Sequence, residues 1–253
     1  MTLDNKLKII DRWLTYRRRV YAVPGHFTTT DNGIYELMTP IGDAKGIPEV
    51  FNIRLEELDD NELQKAVDEL KQSYPDGDFH IQWPYGCSDR VHIAIRGEVP
   101  KYPMDDFVFG IMKPEDMPSY PPLPDYIEIK KVVSKEDFSL WCDPLFQEFW
   151  FFDNDKHYNL IQEGKIICFI AYVDGRHIAN SMLTVNKKEA ALDSYKILPE
   201  YRNKGIEAAL CQHTIQYAFN NGAKCVVGYG FPEFYPDEYR IFTELGFPVV
   251  STN

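Results

Sequence analysis

The residues best placed to do chemistry in this sequence are Ile197-Leu198-Pro199-Glu200-Tyr201-Arg202-Asn203-Lys204-Gly205-Ile206, running on into Glu207-Ala208-Ala209-Leu210. An apolar run ends at Pro199, a short polar loop containing Gly205 follows, and a helix-forming segment begins without a further break. Such a strand–loop–helix junction aims several backbone N–H groups at one spot, beside the positive end of a helix dipole, and so predicts an anion site. Just upstream, Glu189 and Asp193 are an even count apart on a predicted strand, which places both carboxylates on one face. The run Arg17-Arg18-Arg19 is a weaker anion candidate, because cations in the last turn of a helix also suit its dipole.

Other chemistries find little support. The five cysteines (Cys87, Cys142, Cys168, Cys211, Cys225) are odd in number and contain no CxxC, and the six histidines form no HExxH pair. No metal site and no disulfide framework is expected, and a reducing cytoplasm is the natural setting. His80, His92 and Cys87 stand isolated and read as structural residues. A net charge of −12 argues against a nucleic-acid surface, which needs a basic face. It is mildly favourable for an amine-bearing partner. The longest apolar run, 166–173, is too short to span a bilayer, and no signal-type segment opens the chain.

The elements that must position the loop follow from periodicity and punctuation. Residues 126–132 read as a strand, and Ser134 with Asp137 as the start of a helix whose apolar and aromatic set extends to Trp150. A shorter helix over 155–162 is followed by strands over 165–173 and 177–185, joined at Asp174-Gly175 by a two-residue hairpin turn. A third strand, 189–198, delivers the chain to the loop. The helix after Gly205 stops at Asn221-Gly222, a buried strand covers 223–229, Pro236 opens a last helix that ends at Gly246, and residues 247–251 can add a final strand.

The first half predicts a helix over 3–19 with Leu3, Leu7, Ile10 and Leu14 on one stripe, then strands near 34–38 and 50–55. A helix capped near Asp59 and carrying Leu63, Val67 and Leu70 follows, then a strand over 79–83, a short helix over 88–95 and a strand over 107–112. Pro114, Pro118, Pro121, Pro122 and Pro124 crowd one segment and favour an extended connector. The boundaries expected are therefore an α/β domain at 1–118, a proline-rich linker at 119–125 and a second domain at 126–253.

The order strand, Pro199-x-x-Arg202-x-x-Gly205, helix, strand, then a helix ending in Leu245-Gly246-Phe247 resembles the GNAT superfamily of acyl-CoA-dependent N-acyltransferases over roughly the last half of the chain. The resemblance implies a mixed α/β (α+β) fold with a largely antiparallel sheet flanked by helices, preceded here by the smaller α/β domain. It implies that the amides of Asn203, Lys204, Gly205, Ile206, Glu207 and Ala208, with Arg202 in the same loop, bind the pyrophosphate of acetyl-CoA. The strand end at Tyr195 to Ile197 would pair with the pantetheine arm. The reaction implied is attack on the thioester by a primary amine of a small molecule or protein, with no nucleic-acid or membrane partner, and a homodimer is compatible with it. The carboxylate that family members place on this strand would be Asp193, or less favourably Glu189 by the turn.

Two positions depart from the family pattern. Glu207 stands where Gly or Ala is usual: turned outward it leaves the amides open, and laid over them it imitates a phosphate. The tyrosine that usually lies four residues before the glycine of the Gly-Phe pair is Phe242, which leaves Tyr239 or Tyr235 as substitutes in acid or substrate contact. These departures motivate the alternative of a catalytically impaired CoA-binding or interaction module. Residues 1–118 carry no Arg-x-x-Gly motif and read either as a degenerate second copy of the fold or as an unrelated cap that shapes the acceptor cleft. An aminoacyl-tRNA donor would need a basic surface that this acidic chain lacks.

Overall fold

The computed structural model describes residues 1–21, 27–33, 35–40, 49–51, 54, 58–73, 80–81, 108–120, 122–143, 154–230, 232 and 236–250. The chain divides into two compact units, essentially Met1–Asp106 and Phe107–Ser251. The first unit opens with α1 (Leu3–Tyr21), which buries Ile9, Ile10, Trp13, Leu14 and Val20. Leu3, expected on that stripe, is exposed, since the first turn extends past the core. The guanidinium of Arg17 lies 5.9 Å from the centroid of the Trp13 ring.

Strands β1 (Phe27–Asp31), β2 (Glu36–Pro40) and β3 (Glu49–Phe51) then form an antiparallel meander. Helix α2 (Asp60–Ser73) follows with Leu63, Ala66, Val67 and Leu70 buried, and β4 (His80–Ile81) returns parallel to β3. Spacing at i, i+3, i+4, i+7 put those four side chains on one stripe. The helix expected over 88–95 lies outside the described residues.

The second unit is built on seven strands in the order β11-β5-β10-β9-β8-β7-β6. These are β5 (Val108–Met112), β6 (Ile127–Lys131), β7 (Ile166–Val173), β8 (Arg176–Asn186), β9 (Glu189–Ile197), β10 (Cys225–Gly230) and β11 (Val249–Val250). Helices α3 (Lys135–Trp141) and α4 (Asn154–Gln162) lie between β6 and β7, α5 (Ile206–Asn220) between β9 and β10, and α6 (Pro236–Glu244) between β10 and β11. All pairings are antiparallel except β9 with β10. The mixed, largely antiparallel sheet expected from the sequence is the one observed.

Local chemistry sets several of these boundaries. Ser134 caps α3 by accepting the Asp137 N–H at 3.0 Å while the Asp137 carboxylate accepts the Ser134 N–H at 3.1 Å. The aromatic run expected to continue this helix toward Trp150 lies beyond 143, outside the described residues. The hairpin β7–β8 turns at Asp174 and Gly175, both at positive φ (51° and 74°), as the two-residue turn requires.

One boundary differs from expectation. The strand at 108–112, assigned from sequence to the first domain, runs through the second sheet, hydrogen-bonded to β10 on one side and β11 on the other. The division therefore falls at 106/107, ahead of the prolines. Non-local pairing, invisible to periodicity, decides this strand's sheet. The proline-rich segment is part of the second unit: Tyr120 donates its hydroxyl to the Leu245 carbonyl (2.5 Å), and burial pushes that phenol up to about 12. Pro114, Met117 to Tyr120, Pro122 and Leu123 wall a cavity of about 470 Å³ against Ala209, Gln212, His213 and Gln216 of α5.

Each unit contains the same sequence of pairings. In the second, the meander β7–β8–β9 leads into α5 and then into β10, parallel to β9. In the first, the meander β1–β2–β3 leads into α2 and then into β4, parallel to β3.

Candidate active site

Loop 198–205 leaves β9 through a short 3-10 turn, Pro199–Tyr201, where the fixed φ of proline suits the first turn position. Asn203 and Gly205 both adopt positive φ (59° and 75°), which reverses the chain so that α5 starts directly at Ile206. Gly205 is the N-cap and offers no side chain to the first-turn N–H groups, and a Cβ placed on it would meet nothing within 4 Å. The junction thus presents amide donors and a helix dipole with no side-chain cap upon them. Lys204 turns its ammonium back over the Tyr201 ring, 5.2 Å from the centroid, and Arg202 is exposed.

Glu207, in the first turn of α5, points toward α6. Its carboxylate lies 4.0 Å from Nη2 of Arg240, with 16% of the side chain exposed. The same Nη2 donates to Oδ1 of Asn203 at 3.1 Å, while Nη1 reaches Glu244 at 2.5 Å. The carboxylate that sequence reasoning left undecided is turned toward a cation on the neighbouring helix.

A wedge opens in the sheet beside this loop. The parallel ladder between β9 and β10 covers only Glu189–Ala191 against Cys225–Val227, although β9 continues to Ile197 and β10 to Gly230. The cause lies in β9. Leu183 on β8 faces Leu192, but the next residue, Met182, faces Ser194, so Asp193 is the extra residue of a β-bulge. Bulges bend and twist the strand that carries them, and here the ladder with β10 ends just before it. The parity argument from sequence holds up to Asp193 and reverses after it. Asp193 shares the Thr184 face, whereas Tyr195 falls opposite Ser181, whose hydroxyl meets Thr214 of α5 at 2.7 Å.

Asp193 is 3% exposed, and its carboxylate accepts a hydrogen bond from the Thr184 hydroxyl. Across the apex of the wedge the Tyr229 hydroxyl donates to the Asp193 carbonyl oxygen at 2.9 Å, fixing the bulge from β10. Glu189 sits next to the turn, opposite Asn186. Thr184, Tyr229 and Arg240 were not singled out from sequence. Each takes its role from a partner on another element, Asp193 for Thr184 and Tyr229, and Glu207 with Asn203 for Arg240, which leaves no local signal.

Phe242, at the position of the usual tyrosine, and Tyr239, the expected substitute, have different surroundings. Phe242 is 3% exposed, stacked on Phe247 with centroids 5.1 Å apart, and packed over Gly110 in the sheet. It is a core residue. Tyr239, one turn earlier, is half-buried against Gly230 at the end of β10 and stacks on Phe242 at 6.0 Å. Tyr235 lies outside the described residues. Burial pushes the Cys142 thiol up to about 12 and raises Cys168 well above its ordinary value, so neither is a thiolate nucleophile at neutral pH. Among the described residues no group of three His, Cys, Asp or Glu side chains is placed to hold a metal, and no helix is long and apolar enough to cross a membrane.

Residues 125–247 match the model of the acetyltransferase (GNAT) family. Among solved structures, a GCN5-related N-acetyltransferase from Kribbella flavida superposes with a TM-score of 0.61 at 13% identity, covering 94% of this chain and 91% of that one. A tandem GNAT protein from the clavulanic acid biosynthesis pathway gives 0.64 at 11% identity, covering 98% of this chain and 91% of that one. A functionally unknown conserved protein from Staphylococcus epidermidis gives 0.54 at 13% identity, over 87% and 88% of the two chains. At such identities the likeness is one of fold. No curated protein matches the chain by sequence.

Proposed function

Residues 125–247 form a domain of the GNAT acetyltransferase family, and on that premise we propose that the chain transfers an acetyl group from acetyl-CoA to a primary amine of a small molecule or a protein. The observation that carries this reading is the adjacency of two openings: the β9–β10 wedge, and the Gly205 loop whose amides lack a side-chain cap. The residues present fit the donor. Gly205 holds its positive φ without strain and puts no side chain at the helix N-terminus, which suits close approach of an anion to the backbone there. The edge of β9 at Tyr195 to Ile197, past the end of the β10 ladder, suits the amide-bearing pantetheine arm.

Bound there, acetyl-CoA supplies a thioester carbonyl activated toward an amine. The protein's own contribution is orientation, proton removal and charge stabilisation. Asp193 is held by Thr184 on the bulge at the wedge and receives the proton of the incoming ammonium through water. Tyr239, on α6 and packed against Gly230 at the end of β10, is the candidate to return a proton to the departing sulfur, since Phe242 has no hydroxyl and is buried in the core. The aromatic residues abundant in the sequence over 141–157 and 231–235 favour an apolar or cationic acceptor in this reading.

The net charge of −12 supports a cationic acceptor over a nucleic acid. The free thiols of Cys142, Cys168, Cys211 and Cys225 support a reducing, cytoplasmic setting. The pairing order repeated in the first unit supports a tandem arrangement, in which that unit is a degenerate copy of the same fold.

Acetyl-CoA is expected to raise the melting temperature, and saturation near a hundred times Kd corresponds to about 2.7 kcal/mol. Amine-dependent release of CoA should accompany it and vanish in Gly205→Trp. No thermal shift and no calorimetric binding would sink the proposal. Binding without turnover across a panel of amines would instead establish the CoA-binding module that the buried Phe242 favours.

A further inference from the structure

An acid in the first turn of a helix satisfies the dipole and so competes with any anionic ligand for the same amides. Glu207 occupies that position here, and only 16% of its side chain is exposed, so its charge is less screened than a surface carboxylate's. A loop built this way should repel a pyrophosphate unless the carboxylate is held aside and balanced. Arg240 is placed to do both. Its Nη2 lies 4.0 Å from the Glu207 carboxylate and 3.1 Å from the Asn203 side-chain oxygen. Asn203 is one of the two positive-φ residues that shape the loop. The guanidinium thus donates to Asn203 while keeping its charge within ion-pair reach of Glu207, and its Nη1 donates to Glu244, one turn further along α6, at 2.5 Å.

We propose that Arg240 is the positioning residue that makes this loop competent for a pyrophosphate, by drawing Glu207 off the amides, neutralising it and pinning Asn203. The inference rests on the reading of the loop as a coenzyme A site. It adds that α6 takes part in donor binding through its charge, and that Glu207 and Arg240 act as one unit. Their effects on CoA affinity are then strongly non-additive.

The test is calorimetric titration of CoA into the wild type, Arg240→Gln, Glu207→Gln and the double variant, with pantetheine, which has no pyrophosphate, as the second probe. Arg240→Gln is expected to weaken CoA about tenfold, and about twofold or less when Glu207 is already Gln. Glu207→Gln should bind CoA at least as tightly as the wild type. Pantetheine binding should change in none of the variants. Arg240→Lys, which keeps the charge on a more flexible stem, should fall between wild type and Arg240→Gln and serves if the Gln variant does not fold. Wild-type protein that binds no CoA would overturn the site reading itself. CoA binding that is indifferent to Arg240, or an equal loss in both Glu207 backgrounds, or an equal loss for pantetheine, would overturn the role given to Arg240 while leaving the site standing.

Discussion

Asp193 owes its candidacy to geometry more than to its charge. It is the residue that β8 skips, its carboxylate is held by Thr184, and its carbonyl is held by Tyr229, so backbone and side chain are both fixed at the apex of the wedge. Asn at this position keeps the size and one hydrogen bond to Thr184 but cannot take up a proton. Asp193→Asn is therefore expected to lower kcat about a hundredfold, the low end for loss of a general base, while CoA affinity stays within about twofold. Steady-state kinetics set beside a CoA titration separate the two effects. Unchanged kcat would remove Asp193 from the mechanism and turn attention to Glu189.

At the scale of elements, Phe247 explains why two glycines face each other in the sheet. Gly110 of β5 and Gly228 of β10 are paired in register, and a Cβ on either would come within 2.7 Å of the Phe247 side chain. The Leu245-Gly246-Phe247 turn thus seats a ring on a floor that only glycine provides. Gly228→Ala is expected to cost about 1–3 kcal/mol through overpacking, measured by urea unfolding. Gly205→Ala, in open space, pays only for its positive φ, about 1–2 kcal/mol, and its loss appears in CoA binding. Equal stability losses without a binding defect at Gly205 would contradict the division of roles.

These elements also show where sequence reading succeeds and stops. Asp174-Gly175, Ser134 with Asp137, and Gly205 before a helical run were legible because each acts within a few residues of itself. The membership of β5 in the second sheet was not, because pairing between residues more than a hundred positions apart leaves no local trace. The bulge at Asp193 was hidden for a related reason. A one-residue register slip is set by the neighbouring strand, and it put Tyr195 on the face opposite the one that simple alternation from Asp193 gives. The Arg240 contact likewise joins residues 33 positions apart in sequence, from two helices, and only the fold reveals it.

At the scale of the whole molecule, the repeated order of meander, helix and parallel strand raises the question of how many donors one chain binds. The two helix starts answer it differently. Ahead of α5 stands Gly205, with no side-chain cap. Ahead of α2 stands Asp59, whose Oδ1 accepts the N–H groups of Asn61 and Glu62, each at 2.9 Å, while Glu62 accepts the Asp59 N–H at 3.0 Å. This reciprocal cap occupies donors that an anion would need, and Asp60 adds a further negative charge in the same turn. An anion arriving at α2 meets a carboxylate already bonded to the amides, whereas at α5 no side chain caps the N-terminus and the first-turn acid, Glu207, is turned toward Arg240. One CoA per chain is therefore expected from calorimetric stoichiometry. Gly205→Trp should abolish binding entirely, leaving no weaker second phase. A stoichiometry of two, or residual binding in Gly205→Trp, would mean that the first unit has kept a donor site despite its cap.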